Sequence, residues 1–286
     1  MRWVVTGAGG QLGRCLVRCL AAESRHSLAA APTHAELDLT DRPALRALLE
    51  RERPDAVANA AAFTWVDRCE TEPELAHRVN AEGPGLLAEE CARRGIQLVH
   101  VSTDYVFDGQ AKRPYTEEDP TGPRSEYGRS KLEGELRVGT ALPSALVLRM
   151  SWVFGPGRNF VATILGAAHA RSAAGDVAPL RVVDDQFGSP TYAGDLAVWI
   201  LRLVEGGASG LYHVANRGVA TWWEVAREAL DRGGFSGIAI ERVATSEFPR
   251  PAPRPAWSAL ECRRADAAGL HRRGWREALA AYIESD

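Results

Sequence analysis

The sequence predicts an α/β fold in which helices cover both faces of a parallel sheet. Short apolar segments alternate with longer amphipathic ones from residue 1 to about residue 149, and a glycine-rich turn follows the first of them. Strands that alternate with helices of about ten or more residues are typical of a doubly wound sheet with right-handed connections. The pattern becomes less regular after about residue 150. We therefore expect a domain at 1–149 and a smaller lobe at 150–286, some segments of which return to the sheet.

The predicted elements of the first domain follow one another in a regular order. Strands are predicted at residues 2–6, 27–31, 56–60, 98–102 and 145–149. Helices are predicted at residues 11–22, 43–51, 74–94 and 126–138. Thr40 or Asp41 can cap the helix at 43–51, since short polar side chains bind free backbone N–H groups there. Gly95 follows the helix at 74–94, as glycine often does at a helix end.

The second part of the chain predicts fewer and shorter elements. Helices are predicted at residues 160–171, 195–205 and 222–230, and strands at residues 180–183 and 210–214. The segment 248–255 contains four prolines in eight residues, so it is predicted to be an extended loop. Such a lobe would cover the carboxyl edge of the parallel sheet.

Composition excludes several classes of protein. The net charge is −3, from 34 basic and 37 acidic residues, and no basic run interleaved with aromatic residues suggests nucleic-acid binding. No apolar stretch approaches the roughly 18 residues that a membrane span needs. The first residues read directly into a strand rather than into a secretion signal, so we expect a cytoplasmic protein. The five cysteines form no pairs at zinc-binding spacing.

The glycine turn after the first strand predicts a dinucleotide site. Gly7, Gly10 and Gly13 form a Gly-x-x-Gly-x-x-Gly pattern between a strand and a helix. In such a turn the first glycine permits a tight bend, the second lets backbone N–H groups approach a pyrophosphate, and the third lets helix and strand pack closely. The helix N-terminus adds partial positive charge. We therefore expect a Rossmann-like domain that binds NAD(P).

The end of the second strand bears on the choice of cofactor. An acid at this place would bind the adenosine ribose 2′-hydroxyl and repel a 2′-phosphate. Residues 31–34 read Ala-Pro-Thr-His, and the first carboxylate is Glu36. The sequence therefore favours NADPH and leaves NADH open.

A tyrosine and a lysine four residues apart predict proton-transfer chemistry. Tyr127 and Lys131 share one face of the helix predicted at 126–138. Reduction of a ketone needs a proton for the developing alkoxide, and a tyrosine with an ordinary pKa of about 10 holds one at neutral pH. A lysine cation beside it would stabilise tyrosinate. Lys131 is one of only two lysines in the chain, which makes a chance pairing improbable.

A hydroxyl at the end of the fourth strand completes the predicted catalytic set. Ligands of open α/β sheets bind at the carboxyl ends of the strands. Ser102 and Thr103 lie at that end, and either could donate a hydrogen bond to a substrate carbonyl oxygen.

Further motifs make the chain resemble the extended short-chain dehydrogenases/reductases, and within them the dTDP-4-dehydrorhamnose reductase family. The motifs run in order from residue 1 to about residue 260. They are GQLG at 10–13, NAAAFT at 59–64, VD at 66–67, VNA at 79–81, VSTDYVFDG at 101–109, LRMSWVFG at 148–155, NF at 159–160, DQFGSPT at 185–191, and RP at 254–255 with Ser258. VSTDYVFDG and DQFGSPT are specific, whereas the glycine turn alone is not.

The resemblance implies roles for particular residues. Tyr127 would be the catalytic acid, Lys131 its partner, and Thr103 the hydroxyl that polarises the carbonyl group. The cofactor would contact the turn and the loops after two strands, namely Gly7, Gly10, Gln11, Leu12, Gly13, Asp38, Leu39, Ala61, Ala62 and Thr64, as well as Tyr127 and Lys131. The sugar would contact Thr103, Asp104, Tyr105 and Trp152, and the nucleotide diphosphate would lie near Gln186, Gly188 and Arg254. An arginine suits a phosphate because its guanidinium group binds two oxygens at once.

The resemblance also implies a reaction and an assembly. The reaction is the NADPH-dependent reduction of dTDP-4-dehydro-β-L-rhamnose to dTDP-β-L-rhamnose. Some members of the family form a dimer bridged by magnesium through carboxylates. Here Cys15 and Gly194 stand at the matching places, so we predict no metal site and leave a homodimer open.

Three alternatives remain at this stage. The substrate could be another nucleotide-linked 4-keto sugar, such as a precursor of dihydrostreptose or of an antibiotic deoxysugar. The chain could be an epimerase or a dehydratase on the same scaffold, although dehydratases need an acid pair and Asp104 is followed by Tyr105. Finally, it could be a non-catalytic regulatory subunit, although such a subunit has no need of Tyr127, Lys131 and Thr103.

Overall fold

The strands of the computed structural model centre on one parallel sheet. The structure describes residues 1–285; Asp286, the last residue of the predicted second lobe, lies outside the described residues. The strands are β1 (Arg2–Thr6), β2 (Ser27–Ala30), β3 (Ala56–Asn59), β4 (Gln97–Thr103), β5 (Leu146–Met150), β6 (Val153–Phe154), β7 (Leu180–Val183), β8 (Phe187–Gly188), β9 (Thr191–Tyr192), β10 (Gly210–His213), β11 (Ala220–Thr221) and β12 (Ile240–Val243). Six of them form the main sheet in the order β10-β5-β4-β3-β1-β2, and the others pair in twos.

The helices follow the strands through the chain. They are α1 (Gln11–Ala22), α2 (Arg42–Glu52), α3 (Val66–Thr71), α4 (Pro73–His77), α5 (Gly83–Arg94), α6 (Glu126–Ala141), α7 (Phe160–Ala174), α8 (Ala193–Glu205), α9 (Trp222–Arg232), α10 (Arg263–Ala267) and α11 (Trp275–Ser285). A π-helical turn, Arg78–Glu82, joins α4 to α5, and short 3-10 turns lie at Asp104–Val106 and Thr245–Glu247. None of the helices within residues 1–285 has the length and apolar character needed to cross a bilayer.

The order of the main sheet places the predicted cofactor site at the carboxyl ends of β1 and β3, inside the sheet. β1 pairs in parallel with β2 on one side and with β3 on the other, so the direction of winding reverses beside β1. At such a switch point the loops at the carboxyl ends of the two strands diverge and leave a crevice. The crevice here lies between the loop that follows Thr6 and the loop that follows Asn59.

Helices pack on both faces of the sheet, as the sequence predicts. On one face α1 and α8 bury Leu16 and Leu196 against the sheet. On the other face α2, α5 and α6 bury Leu45, Leu87 and Val138. Burial of such apolar side chains contributes roughly 1.5–3 kcal/mol each. The predicted Rossmann-like doubly wound fold is therefore confirmed.

The second part of the chain contributes both to the sheet and to a lobe. β10 pairs with β5 in parallel and forms the edge of the main sheet. The lobe has its own apolar clusters, in which α7, α9 and α11 pack around Val161, Val225 and Leu279. The strands β7 and β12 form a separate parallel pair beside them.

Several predicted boundaries differ from the observed ones. The helix predicted at 74–94 is continuous in the structure but includes the π-helical turn. The strand predicted at 27–31 ends at Ala30, and the helix predicted at 195–205 begins two residues earlier, at Ala193. The structure also contains elements that the sequence did not predict, namely α3, α10, α11, β6, β8, β9, β11 and β12. These elements are short or lie in the irregular lobe, where hydrophobic periodicity is a weak guide.

Candidate active site

The glycine turn has the geometry that a pyrophosphate needs. Gly7 has φ of +70°, and a Cβ atom there would lie 2.5 Å from the backbone nitrogen of Ala61. A Cβ atom on Gly13 would lie 2.2 Å from the carbonyl oxygen of Gly7. Neither position can therefore carry a side chain, and the backbone N–H groups at the start of α1 remain accessible. The side-chain oxygen Oε1 of Gln11 is buried there without a partner in the described chain.

A small pocket continues from the glycine turn towards the end of β2. Its volume is about 60 Å³, and four of the predicted cofactor residues line it, namely Gly7, Asp38, Leu39 and Ala61. Thr33 and His34 form the outer wall. Asp38 accepts hydrogen bonds from the backbone N–H and the hydroxyl of Thr40, which lower the pKa of its carboxyl group.

The loop after β3 is tied to the catalytic helix by one buried asparagine. Asn80 accepts a hydrogen bond from the backbone nitrogen of Phe63 at 2.8 Å and donates to its carbonyl oxygen at 3.1 Å. It also donates to the hydroxyl of Ser130 on α6 at 3.0 Å. The loop that carries Ala62 and Thr64 is therefore fixed relative to α6.

The start of α6 places Tyr127 beside the end of β4. Ser125 caps the helix by accepting a hydrogen bond from the backbone nitrogen of Gly128 at 3.1 Å. The ring of Tyr127 packs edge-on against that of Tyr105, with centroids 5.6 Å apart, and its phenol lies near the hydroxyl of Thr103. Desolvation raises the pKa of Tyr127, so the phenol carries its proton at neutral pH.

Lys131 lies one helical turn after Tyr127 and is 1% exposed. Its Nζ atom donates to the carbonyl oxygen of Val101 at 2.6 Å. Burial lowers the pKa of the ammonium group to about 8, whereas the nearby Glu135 raises it. In this arrangement the ammonium group is hydrogen-bonded to the backbone of β4, one helical turn along α6 from the phenol.

Asp104 lies behind Thr103 and is 2% exposed. Its Oδ1 atom accepts from the Thr103 hydroxyl at 3.0 Å, and its Oδ2 atom accepts from Ser151 at 2.8 Å. The hydroxyl of Ser258 also lies near the carboxylate. Burial raises the pKa of Asp104 to about 6, although these hydrogen bonds oppose the shift.

Three of the predicted substrate residues belong to one cluster around two stacked tryptophans of the lobe. The indole of Trp152 stacks on that of Trp222, with centroids 3.6 Å apart. Trp152 has φ of +46°, a left-handed conformation that costs a side-chain-bearing residue roughly 1–2 kcal/mol. A Cβ atom on Gly188 would lie 2.2 Å from the Trp152 ring. Gln186 accepts from the Trp222 indole nitrogen at 3.1 Å.

A larger cleft opens beside Tyr105. Its volume is about 210 Å³, and Tyr105, Arg124, Ser125 and Arg254 are among its lining residues. Arg254 pairs with Asp67 on α3 at 2.9 Å, which fixes the proline-rich loop to the first domain.

The structure thus arranges the predicted residues in three adjoining groups. Thr103, Tyr127 and Lys131 lie together at the end of β4 and the start of α6. The predicted cofactor residues lie around the glycine turn and the loops after β2 and β3. Of the predicted substrate residues, Thr103 and Asp104 lie with the catalytic group, Tyr105 and Arg254 line the cleft, and Trp152, Gln186 and Gly188 lie in the lobe.

Sequence reasoning missed several residues of this region. Trp222, Ser151 and Arg124 carry no predicted role, yet they contact or line the site. Ser151 lies inside the motif at 148–155, so its position was a signal that could have been used. Trp222 is far from every predicted site residue in sequence, and only the fold brings it to Trp152.

Metal ligands are not grouped in the described part of the chain. Among residues 1–285, no three His, Cys, Asp or Glu side chains come together in a way that could hold a metal ion.

Comparison with known proteins identifies the family. The family model described as RmlD substrate binding domain matches residues 1–286. The chain is 46% identical over 284 residues to dTDP-4-dehydrorhamnose reductase of Mycolicibacterium smegmatis, which covers 97% of this chain and 84% of that protein. It is 47% identical over 283 residues to a probable dTDP-4,6-dihydroxy-2-methyloxan-3-one 4-ketoreductase of Streptomyces antibioticus, with 98% and 93% covered.

A solved structure agrees with the sequence relatives. The crystal structure of dTDP-4-dehydrorhamnose reductase from Bacillus anthracis in complex with NADP matches with a TM-score of 0.91 and 32% identity, over 99% of each chain. Similarity of this extent, over the whole length and in both sequence and fold, shows that the chain belongs to the RmlD substrate binding domain family, the dTDP-4-dehydrorhamnose reductases.

Proposed function

We propose that the protein reduces the 4-keto group of a dTDP-linked 6-deoxyhexose with NADPH, converting dTDP-4-dehydro-β-L-rhamnose to dTDP-β-L-rhamnose. The observation that carries this proposal is the group formed by Thr103, Tyr127 and Lys131 at the carboxyl ends of the parallel strands, where the glycine turn also lies. A proton donor, a hydroxyl and a buried cation at the carboxyl edge of the sheet are the groups that ketone reduction needs. Family relatives named as 4-keto sugar reductases support the substrate class.

The residues of the first domain fit a dinucleotide. Gly7 and Gly13 leave a cradle that a Cβ atom would fill, and the unpartnered Gln11 Oε1 atom lies buried beside it. Gly10, Leu12, Ala62 and Thr64 would hold the pyrophosphate and the nicotinamide half. We propose that residues 1–149 bind the cofactor and that the rest of the chain mainly binds the substrate.

NADPH is the cofactor that the adenosine pocket favours. Ala30 ends β2, and no carboxylate follows it before Glu36. The Glu36 carboxylate accepts from the backbone nitrogen of Thr33 at 2.7 Å and from its hydroxyl, so it is engaged within its own turn. Because no acid is placed to repel a 2′-phosphate, NADPH can bind. The B. anthracis relative crystallised with NADP supports this choice.

The chain's own residues would supply the proton and the orientation. NADPH, when bound, supplies a hydride to the carbonyl carbon. Tyr127 would donate its phenolic proton to the ketone oxygen as negative charge develops there. Lys131, still a cation below a pKa of about 8, would stabilise the tyrosinate that remains and hold the ribose hydroxyls.

The substrate would lie across the cleft and the lobe. Tyr105 packs against Tyr127, so a sugar in contact with Tyr105, Asp104 or Trp152 would reach the phenol. Arg254, which lines the cleft, would bind the diphosphate, and Gln186 and Gly188 would contact it from the lobe.

One assay tests the function directly. NADPH absorbance is followed after addition of enzymatically generated dTDP-4-dehydrorhamnose, and the product is identified by mass and NMR; NADH is tested in parallel. Stoichiometric oxidation with formation of dTDP-rhamnose is the expected result. Turnover only with another dTDP-linked 4-keto sugar would instead favour the reaction for which the S. antibioticus relative is named. Tight NADPH binding without turnover of any such sugar would contradict a reductase.

A further inference from the structure

An arginine from the second part of the chain packs on a tryptophan of the first domain. The guanidinium carbon of Arg158 lies 4.9 Å from the centre of the Trp65 ring. Trp65 follows Thr64 in the loop after β3, and Arg158 lies in the loop that joins β6 to α7. Trp65 is 50% exposed, and Arg158 is exposed as well. The contact therefore adds little to the core, although it joins two separate parts of the chain.

The loop that carries Arg158 lies against the start of α1. A Cβ atom on Gly155 would lie 3.8 Å from the Cβ atom of Gln11, the first residue of that helix. Asn159 holds the loop in shape, because its side-chain amide donates to the carbonyl oxygens of Gly155 at 2.6 Å and of Gly157 at 3.1 Å. The backbone beside Arg158 is therefore fixed relative to the glycine turn.

Together these contacts enclose the cofactor crevice. Gly7 and Ala61 meet at its floor, where a Cβ atom on Gly7 would lie 2.5 Å from the backbone nitrogen of Ala61. The loop 155–158 forms one side and the loop after β3 the other, and the pair of Trp65 and Arg158 joins the two sides. The sheet order β4-β3-β1-β2 places the adenosine pocket and the catalytic group on opposite sides of the crevice. A dinucleotide that reaches both therefore passes between these two loops, with its pyrophosphate at the glycine turn.

The crevice carries positive charge that the protein does not neutralise. Arg158 contacts the Trp65 ring and has no carboxylate partner within residues 1–285. Arg14, in the first turn of α1, donates through Nε to the carbonyl oxygen of Gly9 at 2.9 Å and likewise forms no ion pair in that range. The N-terminus of α1 adds partial positive charge. A guanidinium group without an acid partner, placed beside such N–H groups, suits a phosphate, since it binds two oxygens at once.

We propose that Arg158 is a further cofactor-binding residue, which binds the pyrophosphate of NADPH and, packed on Trp65, retains the cofactor in the crevice. This inference rests on the proposed function, since it concerns the same cofactor. An aromatic face attracts a cation without forming hydrogen bonds to all of its donors. Trp65 therefore holds the guanidinium group across the crevice and leaves N–H groups of Arg158 for phosphate oxygens. Release of the cofactor then requires that the phosphate contact break and that the pair separate.

The test measures cofactor binding without substrate. NADPH is titrated into wild type, Arg158→Met and Trp65→Leu, with the fluorescence of the reduced nicotinamide as the readout. Loss of a charged contact to the pyrophosphate should raise the Kd of Arg158→Met about tenfold. Trp65→Leu keeps the guanidinium group but removes its aromatic support, so its Kd should rise about threefold. Most of each change should appear in the dissociation rate, measured in a stopped-flow instrument by displacement with excess NADP⁺.

Further measurements separate a phosphate contact from a loss of local structure. The affinity of wild type for NADPH should decrease as salt rises from about 0.05 M to about 0.5 M, and that of Arg158→Met should decrease less, because one charged contact is gone. Arg158→Lys keeps the charge, so it should recover part of the affinity and of the salt dependence. Adenosine 2′-monophosphate has no pyrophosphate, so wild type and Arg158→Met should bind it equally.

Arg276→Met is the matched control. Arg276 lies over the ring of Trp275 at 4.3 Å, on α11, and its exposed side chain also pairs with Glu228. It belongs to the same kind of cation–aromatic contact but lies outside the crevice, so its removal should leave the Kd for NADPH unchanged. Because Trp65 and Arg158 are exposed, their variants should melt near the wild-type temperature.

Two results would overturn the inference. One is an Arg158→Met variant that binds NADPH as tightly as wild type; a raised KM for the 4-keto sugar in that variant would assign Arg158 to the substrate instead. The other is equal weakening of NADPH and of adenosine 2′-monophosphate, which would place the effect in the adenosine pocket. Wild type that binds no NADPH would refute both the inference and the proposed function. The expected differences in NADPH binding, without reduction of any 4-keto sugar, would refute the reductase function alone.

Discussion

The Nζ atom of Lys131 lies 2.6 Å from the carbonyl oxygen of Val101, one residue before the pair Ser102 and Thr103. A strand carbonyl thus holds the ammonium group beside the end of β4. Because the side chain is 1% exposed, its charge is only weakly screened by water. A charge held in this way can act strongly on a nearby phenol or ribose. Because burial lowers the pKa of Lys131, its ammonium group gives up its proton at a lower pH than that of an exposed lysine.

The first prediction concerns the alkaline limit of activity. Burial lowers the pKa of Lys131 to about 8, so the cation is present below that pH and is lost above it. We expect kcat/KM to fall as pH rises through about 8. Lys131→Arg keeps a charge at all these pH values, so its remaining activity should not show this decrease. Lys131→Ala should weaken NADPH binding and lower kcat. A wild-type profile that is level well above pH 8 would argue that Lys131 is not the titrating group.

The second prediction concerns the proton donor. Tyr127→Phe removes only the phenolic oxygen and keeps the ring that packs on Tyr105. We expect kcat to fall by about 10²–10⁴, the usual contribution of a positioned general acid, while NADPH binding remains near wild type. NADPH oxidation gives the first quantity and cofactor fluorescence titration the second. Near-normal turnover by the variant would remove Tyr127 from the mechanism.

The third prediction tests the glycine cradle with a matched control in the same turn. Gly13→Ala places a Cβ atom 2.2 Å from the Gly7 carbonyl oxygen, which forces the turn open. Gly9 has nothing within 4 Å of a Cβ atom, so Gly9→Ala should be tolerated. We expect Gly13→Ala to weaken NADPH binding by at least about tenfold and to lower the melting temperature. Equal effects of the two variants would show that the close approach of Gly13 to the Gly7 carbonyl group is not needed for NADPH binding.

Much of the fold could be predicted from sequence because its elements are long and periodic. The apolar segments at β1, β3 and β5 lie under helices on both faces, and their patterns are correspondingly continuous. The lobe was harder to predict. β8 and β11 have two residues each and exist only because distant segments pair, which no local pattern shows. The π-helical turn at Arg78–Glu82 likewise depends on packing, since Asn80 there binds both Phe63 and Ser130.

The sequence named the residues that the structure brings together in the candidate site, but not how they are connected. Thr103, Tyr127 and Lys131 lie together because the carboxyl end of β4 meets the start of α6. The sequence also named Asp104, but not its hydrogen bond to Ser151, which lies after β5. That bond depends on two distant segments of the chain meeting in space.

The fourth prediction concerns metal. Because no cluster of metal-binding side chains is present within residues 1–285, EDTA treatment should leave the reductase rate unchanged. The assay compares NADPH oxidation before EDTA treatment with NADPH oxidation after the treatment, once the chelator has been removed. A clear loss that magnesium restores would contradict this and would point to a metal held between subunits.

The last prediction concerns the ion pair that joins α6 to the sheet. Glu135 accepts from Arg149 at 2.7 Å and from Ser102 at 2.5 Å, and both charged side chains are less than a tenth exposed. Glu135→Ala leaves a buried guanidinium group without its counter-ion, which costs roughly 3–5 kcal/mol. We expect the urea midpoint to fall accordingly, without a change in the slope of the transition.

A double variant distinguishes the charge pair from simple packing. Glu135→Met with Arg149→Met removes both charges and keeps similar volume, so it should recover much of the lost stability. Because Glu135 is one turn from Lys131 and Ser102 adjoins Thr103, activity should not recover with stability. If the double variant recovers both stability and full activity, the Glu135–Arg149 pair has no part in placing α6 relative to β4. If it recovers stability without activity, the pair positions Lys131 and Thr103.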